Sequence, residues 1–482
     1  MRESTSALPA VLDAKSTSVH GLALVLFSTV LFAPMMGRGF VLDDFGHVFV
    51  ASLDPFRFGL TGATGGPFYA PVTYLTFKLD WLSAGARPYA WAATNLAIHV
   101  GNVLLLYALA WRLWPSQRAA WWAALGFSIL HPANAHNVMF IGARAHLVAT
   151  GFSLGAMLAT TFFVRARGFR PSAAAGVILL ATAAIFAKES GVMVIAAIAV
   201  VALFEDRCGR RRASMLDLLT VGVALGAVLL LYFHIRSRSG AIAIDFSGTT
   251  SYRFLLSPAV LAGNLLWYAS RTYGLLIPLT LALLASVDWR QPMARRPLAT
   301  RDVLFSAALF SAAVAPFLPI GKRPDSYSYM PGVAAALLLA SIARSLPRGR
   351  PGIASTLPIV MVVCMHAALA VSYSQRWLQL ARTNSSVLTQ IRERHPRLPP
   401  GTMVTLLYDE PDELHRFPEG FDDWCFRWAI RVTYGERTVD GRIVRRGEDS
   451  PLDEAPAEVR FSYAGTEDGP TVTEIAREAA WR

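Results

Sequence analysis

The sequence predicts an all-α polytopic membrane protein of about eleven spanning helices, followed by a small soluble α/β appendage. Three observations carry this. The 482 residues are 54% hydrophobic and only 16% charged, with a mean hydropathy of +0.40, a balance outside that of soluble domains. The apolar residues come in repeated long runs rather than short periodic sets. The arginines behind the net charge of +12 cluster in short links between those runs, the pattern of cytoplasmic membrane loops and not of a nucleic-acid surface.

Taken in order, residues 1–17 are polar and read as a cytoplasmic segment. The apolar run after them lacks a basic flank and a small-residue cleavage site, so it reads as a retained first helix rather than a signal peptide. A ruler of about 20 apolar residues per span places helices near 18–36, 89–114, 119–130, 146–164, 173–187, 191–204, 216–235, 273–287, 303–319, 329–343 and 353–373. With the N-terminus inside, the inner links hold Arg112 and Arg118; Arg165, Arg167 and Arg170; Arg207 and Arg210 to Arg212; Arg290, Arg295, Arg296 and Arg301; and Arg344, Arg348 and Arg350. The outer links are poorer in basic residues, as the positive-inside rule requires. An odd number of spans puts the tail, 374–482, outside. There, 403–408 and 459–463 read as strands and 424–432 as a helix or strand, with Asp422-Asp423 as solvated surface. Cys208, Cys364 and Cys425 are too scattered for a disulfide framework or a metal motif.

The outer face then collects the unusual polar residues, beginning in a long first loop, 37–88. Asp43 and Asp44 follow the first span directly in a run of apolar and aromatic residues. Adjacent carboxylates at a membrane surface are costly. They suit a general base, a phosphate-bridging metal ligand or an orienting pair for a hydroxyl; a solvated helix end with an Asx turn is the structural alternative. On a helix end the two diverge by about 100°, so one faces a cavity while the other holds structure. Further along the loop, 69–83 reads as an interfacial helix, and 252–270 as another.

Asn95 and His99 share one face of the second span; such pairs glue helices or line a cavity. His131-Pro132 opens a segment closed by Arg144, with His136 and His146 nearby. An arginine at an outer helix end suits a phosphate clamp or simply snorkels. The histidine spacing matches no usual zinc pattern. Lys188-Glu189 interrupts two apolar runs with almost no loop, as a self-neutralising turn or a phosphate contact. The last outer connection carries Lys322, Arg323, Asp325, Tyr327 and Tyr329, a set suited to a lipid phosphate and a sugar, or to an interfacial belt.

Taken together, the ordered motifs LDD, YxPxTxxTF, NxxxH, HP…R, KExG and DxYxYxP resemble the membrane domain of the TMTC proteins, O-mannosyltransferases of the GT-C superfamily usually followed by tetratricopeptide repeats. The similarity covers roughly Gly39 to Pro331 and rests on the set rather than any one motif. It implies a GT-C-like fold in which Asp43 and Asp44 take the acidic-pair position. Tyr69, Pro71, Thr76 and Phe77 match the interfacial helix, and Asn95 and His99 the second-span pair. His131 and Arg144 fit HP…R; Lys188, Glu189 and Gly191 fit KExG; Asp325, Tyr327, Tyr329 and Pro331 fit the late loop. Ala70, His136, His146 and Ser326 depart from the family's usual arginine, glutamate, aspartate and arginine, and the tail lacks the repeats.

The resemblance implies an inverting hexosyltransferase in the bacterial inner membrane, moving mannose or another hexose from a polyprenyl-phosphate donor to a hydroxyl outside the cytoplasm. Its partners are the donor lipid, the bilayer and an acceptor, either protein Ser/Thr or a glycan. Arg144, Lys188, Lys322 and Arg323 are the expected phosphate ligands. Asp43 or Asp44 is the expected base, and His99, His131, Glu189, Asp325, Tyr327 and Tyr329 line the expected cavity. No cofactor is required, with a divalent metal (Mg or Mn) open at such carboxylates, as in some GT-C enzymes. Two alternatives stand beside this: a GT-C enzyme acting on a lipid or envelope polysaccharide, and a non-enzymatic transporter or scaffold. The sequence shows no paired half-repeats of the transporter kind.

Overall fold

The computed structural model describes residues 8–36, 39–53, 69–129, 132–239, 254–274, 276–285, 299–345, 353–408, 423–445, 457–466 and 469–475. His131, the 240–253 connection, Arg290, Arg295, Arg296, Arg348, Arg350, Asp422 and the 446–456 segment lie outside them.

Helices dominate. The first, α1 (Leu8–Phe32), precedes the short α2 (Asp44–Ser52) and the interfacial α3 (Pro71–Ala84) of the long first loop. The bundle continues through α4 (Pro88–Leu113), α5 (Gln117–Ile129), α6 (Pro132–Met139), α7 (Arg144–Arg165), α8 (Pro171–Ala187) and α9 (Val194–Arg207). After α10 (Met215–Arg238) come α11 (Pro258–Tyr273), α12 (Leu276–Ala285), α13 (Thr300–Val314), α14 (Tyr329–Ser345) and α15 (Ile353–Arg394). Proline opens α3, α4, α8 and α11, where its missing N–H costs nothing and its fixed φ favours the first turn.

Among the described residues, four helical stretches are long and apolar enough to cross a membrane: Pro88–Leu113, Ile141–Arg165, Met215–Arg238 and Asp325–Ser345. Ser18–Phe32 and Pro171–Ala187 are shorter apolar helices. The packing core joins α1, α4, α5 and α14, with Leu106, Leu109, Leu113, Leu337 and Leu339 fully buried in it. One polar pair ties two of these helices together: Ser28 Oγ meets Ser128 Oγ at 2.8 Å between α1 and α5. In an apolar interior an unpaired hydroxyl would be costly.

Among the described residues, the tail holds a four-stranded sheet and one helix. The order is β2 (Asp440–Arg445), β1 (Thr402–Tyr408), β3 (Ala457–Thr466), β4 (Gly469–Ile475), with β1 parallel to both neighbours and β4 antiparallel to β3. α16 (Asp423–Tyr434) makes the crossover from β1 to β2, as a parallel pair demands. The expected start of the tail at Ser374 falls inside α15, a single helix of 42 residues. Its last turns do not end at the membrane because they have a second face to bury: Val387, Leu388 and Ile391 pack with Val404, Leu406 and Phe461 of the sheet. That same cluster contains Phe40, Phe45, Val48 and Phe77 from the first loop, so the sheet, the end of α15 and the acidic-pair segment share one core.

Candidate active site

The acidic pair is built by a tight entry into α2. Leu42 adopts φ 46°, a left-handed conformation that is strained for a branched aliphatic residue and that clusters at functional sites. It turns the chain so that Asp43 becomes the N-cap of α2 and Asp44 its first residue. Their fates then differ. Asp44 is fully buried; the Val41 N–H donates to its Oδ2 at 3.1 Å and the Gly142 N–H to its Oδ1 at 3.1 Å. It therefore ties the first loop to the 3-10 turn Ile141–Ala143 at the foot of α7. Asp43 is half-buried and makes no capping bond with its side chain. The Cys425 thiol of α16 donates to its Oδ1 at 3.7 Å. The two carboxylates thus differ in burial and in partners.

α16 is held over this point by aromatic contacts. Trp428 lies 4.8 Å from Phe49 of α2, and the Arg431 guanidinium sits 5.1 Å from the Trp428 ring and 5.7 Å from that of Phe49. Arg427 pairs with Asp440 of β2 at 2.8 Å, locking α16 to its own sheet.

One turn beyond the pair, His47 stacks on Phe77 at 4.7 Å. Burial, with the positive fields of Arg144 and Lys188, pushes its pKa from 6.5 down to about 3. Between those values the unfolded chain takes up a proton that the folded site refuses. Stability is therefore complete above pH 6.5 and falls as pH drops towards 3. His47→Gln is expected to flatten that fall, read as the melting temperature in detergent at several pH values across the window.

Arg144 was expected to clamp a phosphate; the structure places it elsewhere. Its side chain is fully buried and pairs with Asp80 Oδ2 of α3 at 2.5 Å. Its Nε donates to Asn95 Oδ1 at 2.6 Å and its Nη2 to the Trp91 carbonyl at 2.9 Å, and it lies over the Phe77 ring at 4.7 Å. The interfacial helix roofs it. Asp80 in turn accepts from the Thr94 hydroxyl at 2.7 Å. Asp80 is the residue whose role sequence reasoning missed; the signal was a carboxylate two positions after Lys78 in a largely apolar and aromatic helix.

Lys188 and Glu189 form a second polar group. Lys188 is the C-cap of α8, 3.9 Å from Glu189, with a side chain 13% exposed. Glu189 Oε1 accepts from the Tyr69 N–H at 3.2 Å and meets Arg236 of α10 at 3.5 Å. The turn folds hard against α8: a Cβ on Gly191 would stand 2.0 Å from the Ala184 carbonyl oxygen, so only glycine fits. α3 closes on the same turn through the Thr73 hydroxyl, which donates to the Ala187 carbonyl at 2.7 Å.

The late connection divides as well. Tyr329 and His99 are fully buried and bonded to each other at 2.7 Å, with Asn102 Nδ2 donating to the Tyr329 hydroxyl at 3.1 Å. They join α4 to α14 inside the bundle rather than lining an open cavity. Tyr327 is buried, stacked on Phe317 at 4.2 Å and 5.3 Å from His146. Asp325 accepts from the Tyr373 hydroxyl at 3.2 Å and faces Arg271 at 3.6 Å. Lys322 and Arg323 are exposed, Arg323 donating to Asn264 Oδ1 at 2.6 Å. Among the described residues, no three His, Cys, Asp or Glu side chains converge as a metal site would need.

No family model matches the chain. Over 93 residues it is 32% identical to the mouse protein O-mannosyl-transferase TMTC3, a stretch that is 19% of this chain and 10% of that protein. The chain thus matches only a tenth of the length of that curated relative. Among solved structures, ArnT from Cupriavidus metallidurans in the apo state superposes with a TM-score of 0.53 at 13% identity, over 95% of this chain and 94% of that one. The ArnT structure bound to undecaprenyl phosphate gives 0.50 at 12% identity, over 98% and 99%. The fold is that of ArnT. The likeness to ArnT runs through the tail as well as the helices, so the sheet and α16 lie within the matched stretch rather than outside it.

Proposed function

We propose that this chain is an integral membrane glycosyltransferase that moves a hexose from a polyprenyl-phosphate donor to a hydroxyl, with protein Ser/Thr as the acceptor, on the extracytoplasmic side. The observation that carries it is the division of the acidic pair: Asp44 is locked by two backbone amides, while Asp43 is half-buried at the start of α2 behind a strained Leu42. A half-buried carboxylate at that place suits a base; a fully buried carboxylate with both oxygens held by backbone amides suits a brace. The TMTC3 match and the ArnT fold support the reaction class, and the lipid in ArnT supports the donor class. About eleven spans, on the apolar ruler of about 20 residues each, remain the proposed membrane topology, with the tail outside and the inner bacterial membrane as the site.

In this reading Asp43 takes the proton of the acceptor hydroxyl as its oxygen attacks the anomeric carbon. The bond from that carbon to the phosphate oxygen breaks with inversion, and the electron pair leaves with the lipid phosphate. That leaving group is already acidic, so cations that spread its charge contribute more than a general acid would. We assign this to Lys188, with Lys322 and Arg323 on the late turn. Arg144 shapes the site through Asp80. Glu189 orients Lys188, while Asp325, Tyr327, His99 and Tyr329 hold the walls; His131 belongs to the same proposed face.

Transfer from a panel of radiolabelled polyprenyl-phosphate sugars in membranes tests the reading. Transfer from one donor supports it; binding of the lipid without transfer from any donor replaces the enzyme with a lipid-binding scaffold. Lys188→Met is expected to raise the donor KM about tenfold or more, the loss of one charge-assisted contact of about 1.5–3 kcal/mol, in the same assay.

A further inference from the structure

The end of α7 away from the acidic pair carries a second feature. α7 has 22 residues, about 33 Å of helix, so it places Arg144 and Arg165 at opposite faces of a ~30 Å hydrocarbon layer. Around Arg165 a cavity of about 490 Å³ is lined by Arg112, Arg165, Arg167, Arg170 and Ser172 with Phe162. These arginines come from the end of α4, the end of α7 and the turn into α8.

The positive-inside rule explains arginines at this level but not their convergence on a cavity. The one carboxylate among them, Glu205, is fully buried and already held by Arg165 at 2.6 Å and Arg210 at 2.9 Å. Arg112 Nε is buried and meets no hydrogen-bond partner among the described residues. Arg167 and Arg170 are exposed and carry no recorded ion pair among those residues. The site has unspent positive charge.

It also has an apolar continuation. Phe162, 52% exposed, lies under the Arg112 guanidinium at 4.4 Å and belongs equally to a groove of about 640 Å³. That groove climbs α7 past Leu158, Gly155 and Gly151 to Val148, facing Gly101 and Leu105 of α4. Its run from Phe162 to Val148 is about 21 Å at the helical rise. This exceeds the ~15 Å depth of one leaflet, half the hydrocarbon core. Gly101 faces open space, since a Cβ there would meet nothing within 4 Å, whereas Gly151 is already packed against Asn102.

We propose that this arginine-lined cavity binds the phosphate of an anionic phospholipid, with one acyl chain laid in the groove above Phe162. Charge complementarity and the shared Phe162 argue for one occupant with a phosphate head and an apolar tail, and basic pockets between spanning helices are where such headgroups bind. In the proposed orientation the lipid comes from the inner leaflet.

The test is lipid retention by the full-length chain in detergent, counted by native mass spectrometry against equimolar phosphatidylglycerol and phosphatidylcholine. The chain is expected to retain phosphatidylglycerol in preference. Arg167→Gln with Arg170→Gln should reduce that preference by about fivefold for each arginine removed. Both residues are exposed, so the buried Glu205 pairs survive the change. Equal retention of the two lipids, or a preference untouched by the double variant, overturns the proposal. Inorganic phosphate displacing the lipid at equal concentration would overturn the need for a tail, and undecaprenyl phosphate outcompeting it with the same arginine dependence would overturn the phospholipid.

Discussion

Asp43→Asn is expected to abolish sugar transfer while the protein stays at its normal level in the membrane. The substitution removes the carboxylate proposed to accept the acceptor's proton, and loss of a positioned base costs about 10²–10⁴-fold. It keeps the shape of a side chain that is only half-buried, so folding is spared. Asp44→Asn should behave differently. Both Asp44 oxygens accept from backbone amides, and an amide in its place points an N–H at one of those donors, leaving it unsatisfied at a cost of about 1–3 kcal/mol. The Asp44 variant should therefore lose protein as well as activity. The decisive readout is transfer per molecule of folded protein. Full transfer by Asp43→Asn, with loss confined to Asp44→Asn, would reverse the roles.

Asp80→Ala is expected to produce the largest loss of stability. It leaves the Arg144 guanidinium fully buried with its counter-charge gone, and breaking a buried pair from one side costs about 3–5 kcal/mol. The half-life of the folded protein in detergent at fixed temperature measures this. Arg144→Lys tests the same contact from the other side, because a lysine cannot reproduce the fork that reaches Asp80, Asn95 and the Trp91 carbonyl together. Its effect should fall on half-life. A raised donor KM at unchanged half-life would return Arg144 to the phosphate and displace Lys188 from that role.

The contrast between these two residues shows what the sequence could and could not disclose. Apolar runs located the helices because a membrane-length segment is a one-dimensional property. The strands near 403–408 and 459–463 were legible for a similar reason, being β-branched and aromatic runs between breakers. β2 and β4 were not, since Asp440–Arg445 and Gly469–Ile475 are short, polar and defined by their neighbours. An arginine at a helix end looks the same whether it awaits a phosphate or is roofed by another helix. Only the packing of α3 over Arg144 distinguishes the two. His99 and Tyr329, 230 positions apart, read separately as polar groups on an outer face, yet they satisfy each other in the interior. The acidic pair was legible as a pair, and a difference between its members was foreseeable. Which member does which depended on Gly142 arriving from 98 residues away.

The contact between Asp43 and Cys425 spans 382 positions, joining the first loop to α16 beside the sheet. A ribosome delivering this chain releases residue 43 long before α16 exists. During that interval the helices can insert and pack, but the proposed base stands without the thiol and the aromatic cover that frame it. That cover is therefore complete only once α16 has been made, and a chain stopped before it would hold Asp43 without its Cys425 contact.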